Sequence, residues 1–376
     1  MKQLGKAMIP GLAALTLTLT GCGPSNATGV HPAKNHFVIG FDNGYIGNTW
    51  RAQYVADAKA AATKLEKKGL ISKFIVESND ANVSSQLSQL NSMIDEGVNA
   101  LMIDPVSPTA LAPIIKKAQA KHILVVITND PAAYKNTYDI IGNNTAFWEI
   151  ETKWIVNQLH GKGNIVEITG VPGNTANTLR VQEADKILKH YPGIHVLGSA
   201  PGKWDPSVAE SVMSTFLSTF NNINGVLEQD VEATGTIQAY KAAGKPLPVM
   251  TGDYTFQFLR EWAKNYPHLD SIGVSYAPGD VVDALNMTVK LLQGYHFKPG
   301  VLGPNPLDPS LKNTFEVNPP YVVTKHAEPN APWLKGISDV KAISLAQAVA
   351  IGHGKPASAA LDGWMSPSEI SAVMTK

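Results

Sequence analysis

The stretch HFVIGFDNGYIGNTWR, residues 36–51, decides how the rest of the chain is read. Phe37 to Phe41 is short and almost wholly apolar, the pattern of a strand buried on both faces of a parallel sheet. Asp42 to Asn48 carries two glycines and several Asn/Asp residues, which is turn chemistry. From Thr49 the period changes: Val55, Ala58, Ala62 and Leu65 recur at helical spacing, with Lys59, Lys64, Glu66 and Lys67 between them. The unit is therefore strand, loop, helix, with the loop at the carboxyl end of the strand, where open α/β sheets bind ligands. That loop region supplies polar acceptors, one large aromatic residue, Trp50, and then Arg51. From local context alone Trp50 reads equally as a core residue.

The alternation continues. Strands are expected at Lys73–Glu77, Asn99–Ile103 and His122–Thr128, with helices marked by Val83, Leu87, Leu90 and Ile94, and by Leu111, Ile114, Ile115 and Ala118. A short strand near Asp139–Gly142 ends in Asn143-Asn144-Thr145, and the pattern starts afresh. Strands are expected at Asn164–Thr169, His195–Ser199, Gly225–Leu227, Pro248–Thr251 and Ser271–Val274, again separated by helices. Strands separated by helices of this length imply right-handed crossovers and parallel sheets. The layout occurs twice, so the expected fold class is α/β, two doubly wound parallel-sheet lobes joined by a three-segment hinge. The crossings are expected near Asn143, Tyr276 and Pro319. Residues 36–143 with 277–318 would form the first lobe, and 144–276 with 319–376 the second lobe and a packed tail.

A chain of 376 residues is long enough for two cores. Its 31 Lys+Arg balance 31 Asp+Glu, and no basic stretch resembles a nucleic-acid footprint, which argues against a DNA- or RNA-binding role. No two of the ten His lie three or four apart, so a helical His-pair metal site is excluded. The single cysteine follows Lys2, Lys6, an apolar run from Ala7 to Leu19, Thr20 and Gly21, which together make a secretory signal. Leu19-Thr20-Gly21-Cys22 resembles the bacterial lipoprotein signal, which implies that residues 1–21 are removed and Cys22 is lipidated. Residues 22–35, rich in Gly, Pro, Ser and Asn, read as a flexible tether.

The export signal, the two doubly wound halves and Ile46-Gly-Asn-Thr-Trp-Arg51 resemble the ribose/galactose class of bacterial solute-binding proteins, the capture subunits of ATP-driven sugar importers. The likeness runs from Phe37 to about Thr324, and Leu361-Asp-Gly-Trp-Met365 is similar to an ending found in one branch of that family. The resemblance implies a periplasmic binding protein type 1 fold in which a sugar is sandwiched between aromatic rings, here Trp50 and Trp204. It implies ligand roles for Asp130 after the fourth strand, for Gln229 and Asp230, for Asp253 in Gly252-Asp253, and for Tyr276 at a hinge crossing. Ribose binders carry Arg after the fourth-strand Asp and another at the position of Thr178; here Pro131 follows Asp130, and the nearest arginines are Arg51 and Arg180. A sugar C–H face packs on aromatics, and each desolvated hydroxyl needs a partner, which carboxylates supply well. Asp130 and Asp253 also read as strand-end turn residues, and Asp42 and Asn43 as cleft ligands or as caps.

The function implied is capture of a monosaccharide or related polyol outside the cytoplasmic membrane and its delivery to an ABC transporter permease. The protein would act as a lipid-anchored monomer with no cofactor, no metal and no catalytic residue. Two rivals are a sugar sensor presenting its closed form to a membrane receptor, and an exported glycosidase using two of Asp42, Asp130, Asp230 and Asp253. No phosphate-binding Gly-x-x-x-x-Gly-Lys-Ser/Thr loop and no Gly-x-Ser-x-Gly elbow occurs.

Overall fold

Apolar runs become strands and three-and-four spaced segments become the helices between them, in a computed structural model that describes residues 37–376. The signal (1–21), Cys22 and the tether (22–35) lie outside the described residues. The first lobe opens with β1 (Val38–Asn43), α1 (Thr49–Lys67), β2 (Lys73–Ser78), α2 (Val83–Asp95) and β3 (Ala100–Asp104). It continues with α3 (Ala112–Ala120), β4 (Leu124–Thr128) and β5 (Tyr138–Gly142). The backbone then enters the second lobe through α4 (Asn144–Gln158), β6 (Gly163–Thr169), α5 (Thr175–Leu188), β7 (Ile194–Pro201) and α6 (Pro206–Thr219). That lobe is extended by β8 (Gly225–Glu228), α7 (Glu232–Ala242), β9 (Val249–Thr251), α8 (Phe256–Asn265) and β10 (Ser271–Val274). The remaining elements are α9 (Asp280–Leu292), β11 (His296–Phe297), β12 (Thr314–Val317), β13 (Tyr321–Thr324), β14 (Lys341–Ser344), α10 (Leu345–Ile351), α11 (Pro367–Val373) and β15 (Met374–Thr375).

The first sheet has the order β12-β5-β4-β3-β1-β2, with parallel pairing throughout. Alternation along its central strands feeds two separate cores. Ala100, Met102 and Val126 point into one with Phe41, Tyr54 and Leu285, while Leu101, Ile103, Val125 and Ile127 point into the other with Leu90, Met93 and Ile115. A strand buried on both faces has no polar face to show, which is why these runs read as continuously apolar. The second sheet has the order β14-β13-β10-β9-β8-β6-β7. Its strands are parallel except that β13 runs antiparallel to β10. That reversal has a simple cause: β13 arrives directly from β12 of the other lobe, so it enters the sheet from the hinge side. Both sheets reverse their winding next to their first strand, β1 between β3 and β2, β6 between β8 and β7, and ligands gather at the carboxyl side of such switch points.

Side-chain caps fix where the helices begin. Asn48 accepts from the Arg51 amide, Asn143 from Ala146, and Asn174 from Ala176 and Asn177, satisfying otherwise orphaned first-turn donors. These caps sit just after strand ends, so the helix N-termini come to the same edge as the strand termini.

Three passages join the lobes at neighbouring positions. Asn143 donates its amide to the Val317 carbonyl at 2.8 Å and its side chain to Asn318 Oδ1 at 2.9 Å, and the Ser275 amide reaches the Tyr321 carbonyl at 2.9 Å. Gly142 needs its missing side chain, because a Cβ there would lie 2.6 Å from the Tyr276 ring. A fourth passage adds to the three expected. Leu361 donates to the Tyr254 carbonyl and accepts from Ser275 Oγ in the second lobe, whereas Asp362 accepts from Gln53 Nε2 (3.1 Å) on α1 and from the Gly279 amide (2.8 Å) before α9. The expectation that the tail to residue 376 stays with the second lobe is corrected here. β15 pairs with β11, and Ile370 and Met374 are buried in the first-lobe core, in one apolar cluster with side chains of α1 and α9. Among the described residues, no helix is long and apolar enough to cross a membrane.

Candidate functional site

In the first lobe the site is built around Arg51, in the first turn of α1. Its guanidinium is paired with Asp104 Oδ2, at the end of β3, and with Asp130 Oδ2 at 3.4 Å, after β4. Asp104 is 2 % exposed. It also accepts from Asn129 Nδ2 at 3.2 Å and from the Gly44 amide at 3.3 Å. Burial pushes its carboxyl up to about 6 against the pull of Arg51. Asn129 has φ +58°, a left-handed conformation that Asn tolerates and that turns the backbone sharply after β4.

Trp50 lies beside this cluster, half-buried. Its ring stacks on Tyr54 (5.2 Å between centroids) and Tyr276 (5.7 Å), the Arg51 guanidinium lies 5.3 Å from it, and its Nε1 donates to the Tyr276 carbonyl at 2.9 Å. Asn43 is fully buried. It donates to the Tyr45 carbonyl at 2.7 Å and to Ser78 Oγ at 3.4 Å, while its Oδ1 has no donor. Asp42 is held inward by Gln86 Nε2 at 2.9 Å, and burial pushes it up to about 7.

In the second lobe the centre is Arg180, 2 % exposed in the second turn of α5. Its Nη1 reaches Asp230 Oδ2 at 2.7 Å and Gln229 Oε1 at 3.3 Å, and its Nε reaches Asn144 Oδ1 at 2.9 Å. The guanidinium also rests on Phe147 (4.5 Å) and Tyr276 (4.7 Å). A buried arginine with one carboxylate partner and two amide acceptors is well compensated. Asp230, at φ +55°, keeps Oδ1 buried without a donor. Glu151, one turn along α4 from Phe147, has both oxygens unpartnered. Burial, with Asp230 adding to it, raises its carboxyl well above the ordinary range.

Trp204 is held rigidly. It sits at φ +56°, its amide donates to Glu232 Oε1 at 2.8 Å, and its Nε1 donates to Gln229 Oε1 at 2.9 Å. Gly170, at the end of β6, lies against the indole so closely that a Cβ would be 2.3 Å from Cε2. Gln229 is fully buried, and its other end donates to Asn177 Oδ1 at 3.0 Å, so its side chain is engaged at both ends by the protein. Asp253 is engaged as well. It accepts from the amides of Tyr254 (2.7 Å) and Thr255 (3.1 Å) and from Thr255 Oγ1 at the start of α8, and burial pushes it up to about 6.

The residues singled out from the sequence thus fall into groups. Trp50, Arg51 and Asp130 cluster in the first lobe; Arg180, Trp204, Gln229 and Asp230 cluster in the second; Tyr276 touches both. Asn43 and Asp253 sit at strand ends, bonded to their own turns. Sequence reasoning missed Asp104, Asn129, Asn144 and Asn177. The first two had a signal, since each lies at the polar end of an apolar strand. Asn177 lies three residues before Arg180 on one helix face, which also points to a shared role.

A sequence profile of the periplasmic binding protein domain matches residues 39–295. A xylitol-binding protein of Mycolicibacterium smegmatis is 30% identical over 243 residues, covering 63% of this chain and 66% of that protein. A galactofuranose-binding protein of Escherichia coli is 27% identical, covering 57% and 69%. The match thus spans just under two thirds of the xylitol-binding relative. Among solved structures, an ABC transporter solute-binding protein from Thermobispora bispora superposes with a TM-score of 0.65 at 26% identity, covering 77% of this chain and 85% of that one.

Proposed function

The chain belongs to the periplasmic binding protein family, and on that premise we propose that it captures a monosaccharide or related polyol between its lobes, outside the cytoplasmic membrane. It then hands that ligand to an ABC-type importer. The observation that carries this reading is the pair of strand-end clusters, each with an arginine already paired to carboxylates, on two lobes joined by adjacent hinge passages. Arginines so neutralised do not call for an anionic ligand. The pairs leave carboxylate lone pairs and arginine N–H groups for hydroxyls, and Asp230 Oδ1 still lacks a donor. Trp204, fixed in orientation, supplies an apolar face for the C–H groups of a sugar ring or an open polyol. Ligand bonds from both clusters favour the closed lobes by their differential affinity.

The role is binding, with no bond made or broken. Location follows from the same reading: Cys22 carries the lipid and the mature protein stays at the outer face of the membrane. Cys22→Ser should leave the protein without lipid in a metabolic labelling experiment with a radiolabelled fatty acid; a wild type free of label would remove the anchor.

The test of capture is a thermal-shift panel of xylitol, D-ribose, D-galactose, L-arabinose, D-xylose and myo-inositol. A ligand at 100 times its Kd stabilises the folded state by about 2.7 kcal/mol. No shift with any of them at millimolar concentration, alongside a shift with an amino acid or a metal ion, would sink the sugar assignment.

A further inference from the structure

A continuous run of hydrogen bonds passes from one strand-end cluster to the other through a hinge residue. Arg180 Nε donates to Asn144 Oδ1 (2.9 Å), Asn144 Nδ2 to the Tyr276 hydroxyl oxygen (3.2 Å), and the Tyr276 hydroxyl to Asn129 Oδ1 (3.4 Å). Asn129 Nδ2 then donates to Asp104 Oδ1 (3.2 Å), whose other oxygen is paired with Arg51. A branch at Arg180 reaches Gln229 Oε1, which also holds the Trp204 indole. Arg180 and Asn144 belong to the second lobe, and Asn129, Asp104 and Arg51 to the first.

The two ends dictate the polarity of everything between them. Arginine can only donate and an ionised carboxylate can only accept. Asn144 must therefore turn its oxygen to Arg180 and its amide N–H to Tyr276. The phenol, accepting from Asn144, directs its own proton to Asn129, which turns its N–H to Asp104. Every joint is buried: Arg180 2 %, Asn144 1 %, Tyr276 7 %, Asn129 3 % and Asp104 2 % exposed. Breaking one bond therefore leaves a desolvated group unpaired, and bonds linked in series strengthen one another cooperatively. Burial, with Asp280 adding to it, raises the phenol well above its ordinary range, so its proton is retained for donation.

We propose that the Tyr276 hydroxyl is a positioning group that makes the two half-sites order each other, so that the second-lobe arrangement of Arg180 and Trp204 and the first-lobe arrangement of Asn129 and Arg51 are set as one unit. The inference rests on the reading of the two clusters as halves of one capture site. It assigns Tyr276 a role through its neighbours, distinct from a direct bond to the ligand.

Tyr276→Phe keeps the ring that stacks on Trp50 and Phe147 and lies under Arg180, and removes only the relay. Hydrogen exchange on the full-length protein, without ligand, reads the result by mass spectrometry. In Tyr276→Phe, peptides across residues 128–132 and 142–147 should both exchange several-fold faster, with α3 and α6 unchanged. Asn144→Ala, a second-lobe change, should accelerate exchange at residues 128–132 in the first lobe, and should have no further effect there when combined with Tyr276→Phe. An Asn144→Ala effect at residues 128–132 that is absent, or equal with and without the hydroxyl, overturns the proposal. A ligand arm measures xylitol by calorimetry: Tyr276→Phe should weaken it about tenfold, and unchanged affinity overturns the proposal. The exchange arm needs no ligand. If neither xylitol nor any other polyol binds the wild type, capture of a polyol fails, while the coupling is decided by exchange alone.

Discussion

Replacing Asp283 with Asn should make the protein more stable at neutral pH and leave it unchanged in acid. Asp283 is fully buried on α9. One carboxyl oxygen accepts the Met365 amide at 2.8 Å, which ties the fourth passage to the first lobe, and the other oxygen has no partner. Burial, with Asp362 and Glu369 adding to it, pushes the group from its ordinary 3.8 to about 8. Between those values the folded state holds a proton that the unfolded state has released. Stability therefore falls as pH rises from about 4 toward 8, with the whole contribution present only below about 4. At pH 7 roughly three pH units separate the solution from the unfolded value, and at ~1.4 kcal/mol per unit this is on the order of 4 kcal/mol. An amide keeps the shape and the acceptor without carrying the cost. For a protein of 376 residues, with about 2 cal/mol/K of unfolding entropy per residue, 4 kcal/mol corresponds to about 5 °C. Thermal melts of both proteins at pH 4 and pH 7 supply the measurement, and comparing variants cancels the other buried carboxyls. An equal gain at both pH values, or a loss at pH 7, would refute a buried carboxyl that must take up a proton when the chain folds at neutral pH.

Three further outcomes are expected. Gly170→Ala places a methyl 2.3 Å from Trp204 Cε2; overpacking should cost about 1–3 kcal/mol of stability and about tenfold in affinity for the sugar of largest thermal shift. Full affinity by calorimetry would show that the indole does not form a wall of the site. Ile370→Ala, 2 % exposed, should cost about 2–4 kcal/mol and loosen β11, α1 and α9 in hydrogen exchange; loosening of β13 and β14 instead would return the C-terminal segment to the second lobe. Small-angle scattering should show a smaller radius of gyration with the sugar bound, and an unchanged radius with binding shown by calorimetry would mean that capture proceeds without lobe closure.

What the sequence could and could not say follows from which interactions leave a periodic trace. A strand buried on both faces and a helix packed on one face impose their periods on every residue, so β1, α1 and their successors are legible in order. Direction within a sheet leaves no such trace. The apolar run Tyr321–Thr324 is the same read parallel or antiparallel, and only its arrival from β12 through the hinge reverses it against β10. The C-terminal segment is illegible for a similar reason. Ile370 and Met374 state that something apolar covers them, and the apolar cluster they share with α1 and α9 decides which lobe it is.

The site shows a third kind of limit. Asp130, Asp230 and Asp253 all follow apolar strands and look alike in sequence, yet their surroundings separate them. Asp130 and Asp230 face arginines delivered by the first turn of α1 and the second turn of α5. Asp253 is followed by Tyr254 and Thr255, whose amides and hydroxyl close around it first. An acidic residue at a strand end becomes available to a ligand only when its own turn does not satisfy it, and that depends on two or three bonds which no spacing encodes. Gln229 obeys the same rule. Trp204, Arg180 and Asn177 engage its amide, so it fixes the indole and the guanidinium in place. The groups left open at the two clusters include the unpartnered Asp230 Oδ1 and Asn43 Oδ1, the partly exposed Asp130 carboxylate and the remaining arginine N–H groups. A small molecule with hydroxyls that donate and accept matches these groups in kind.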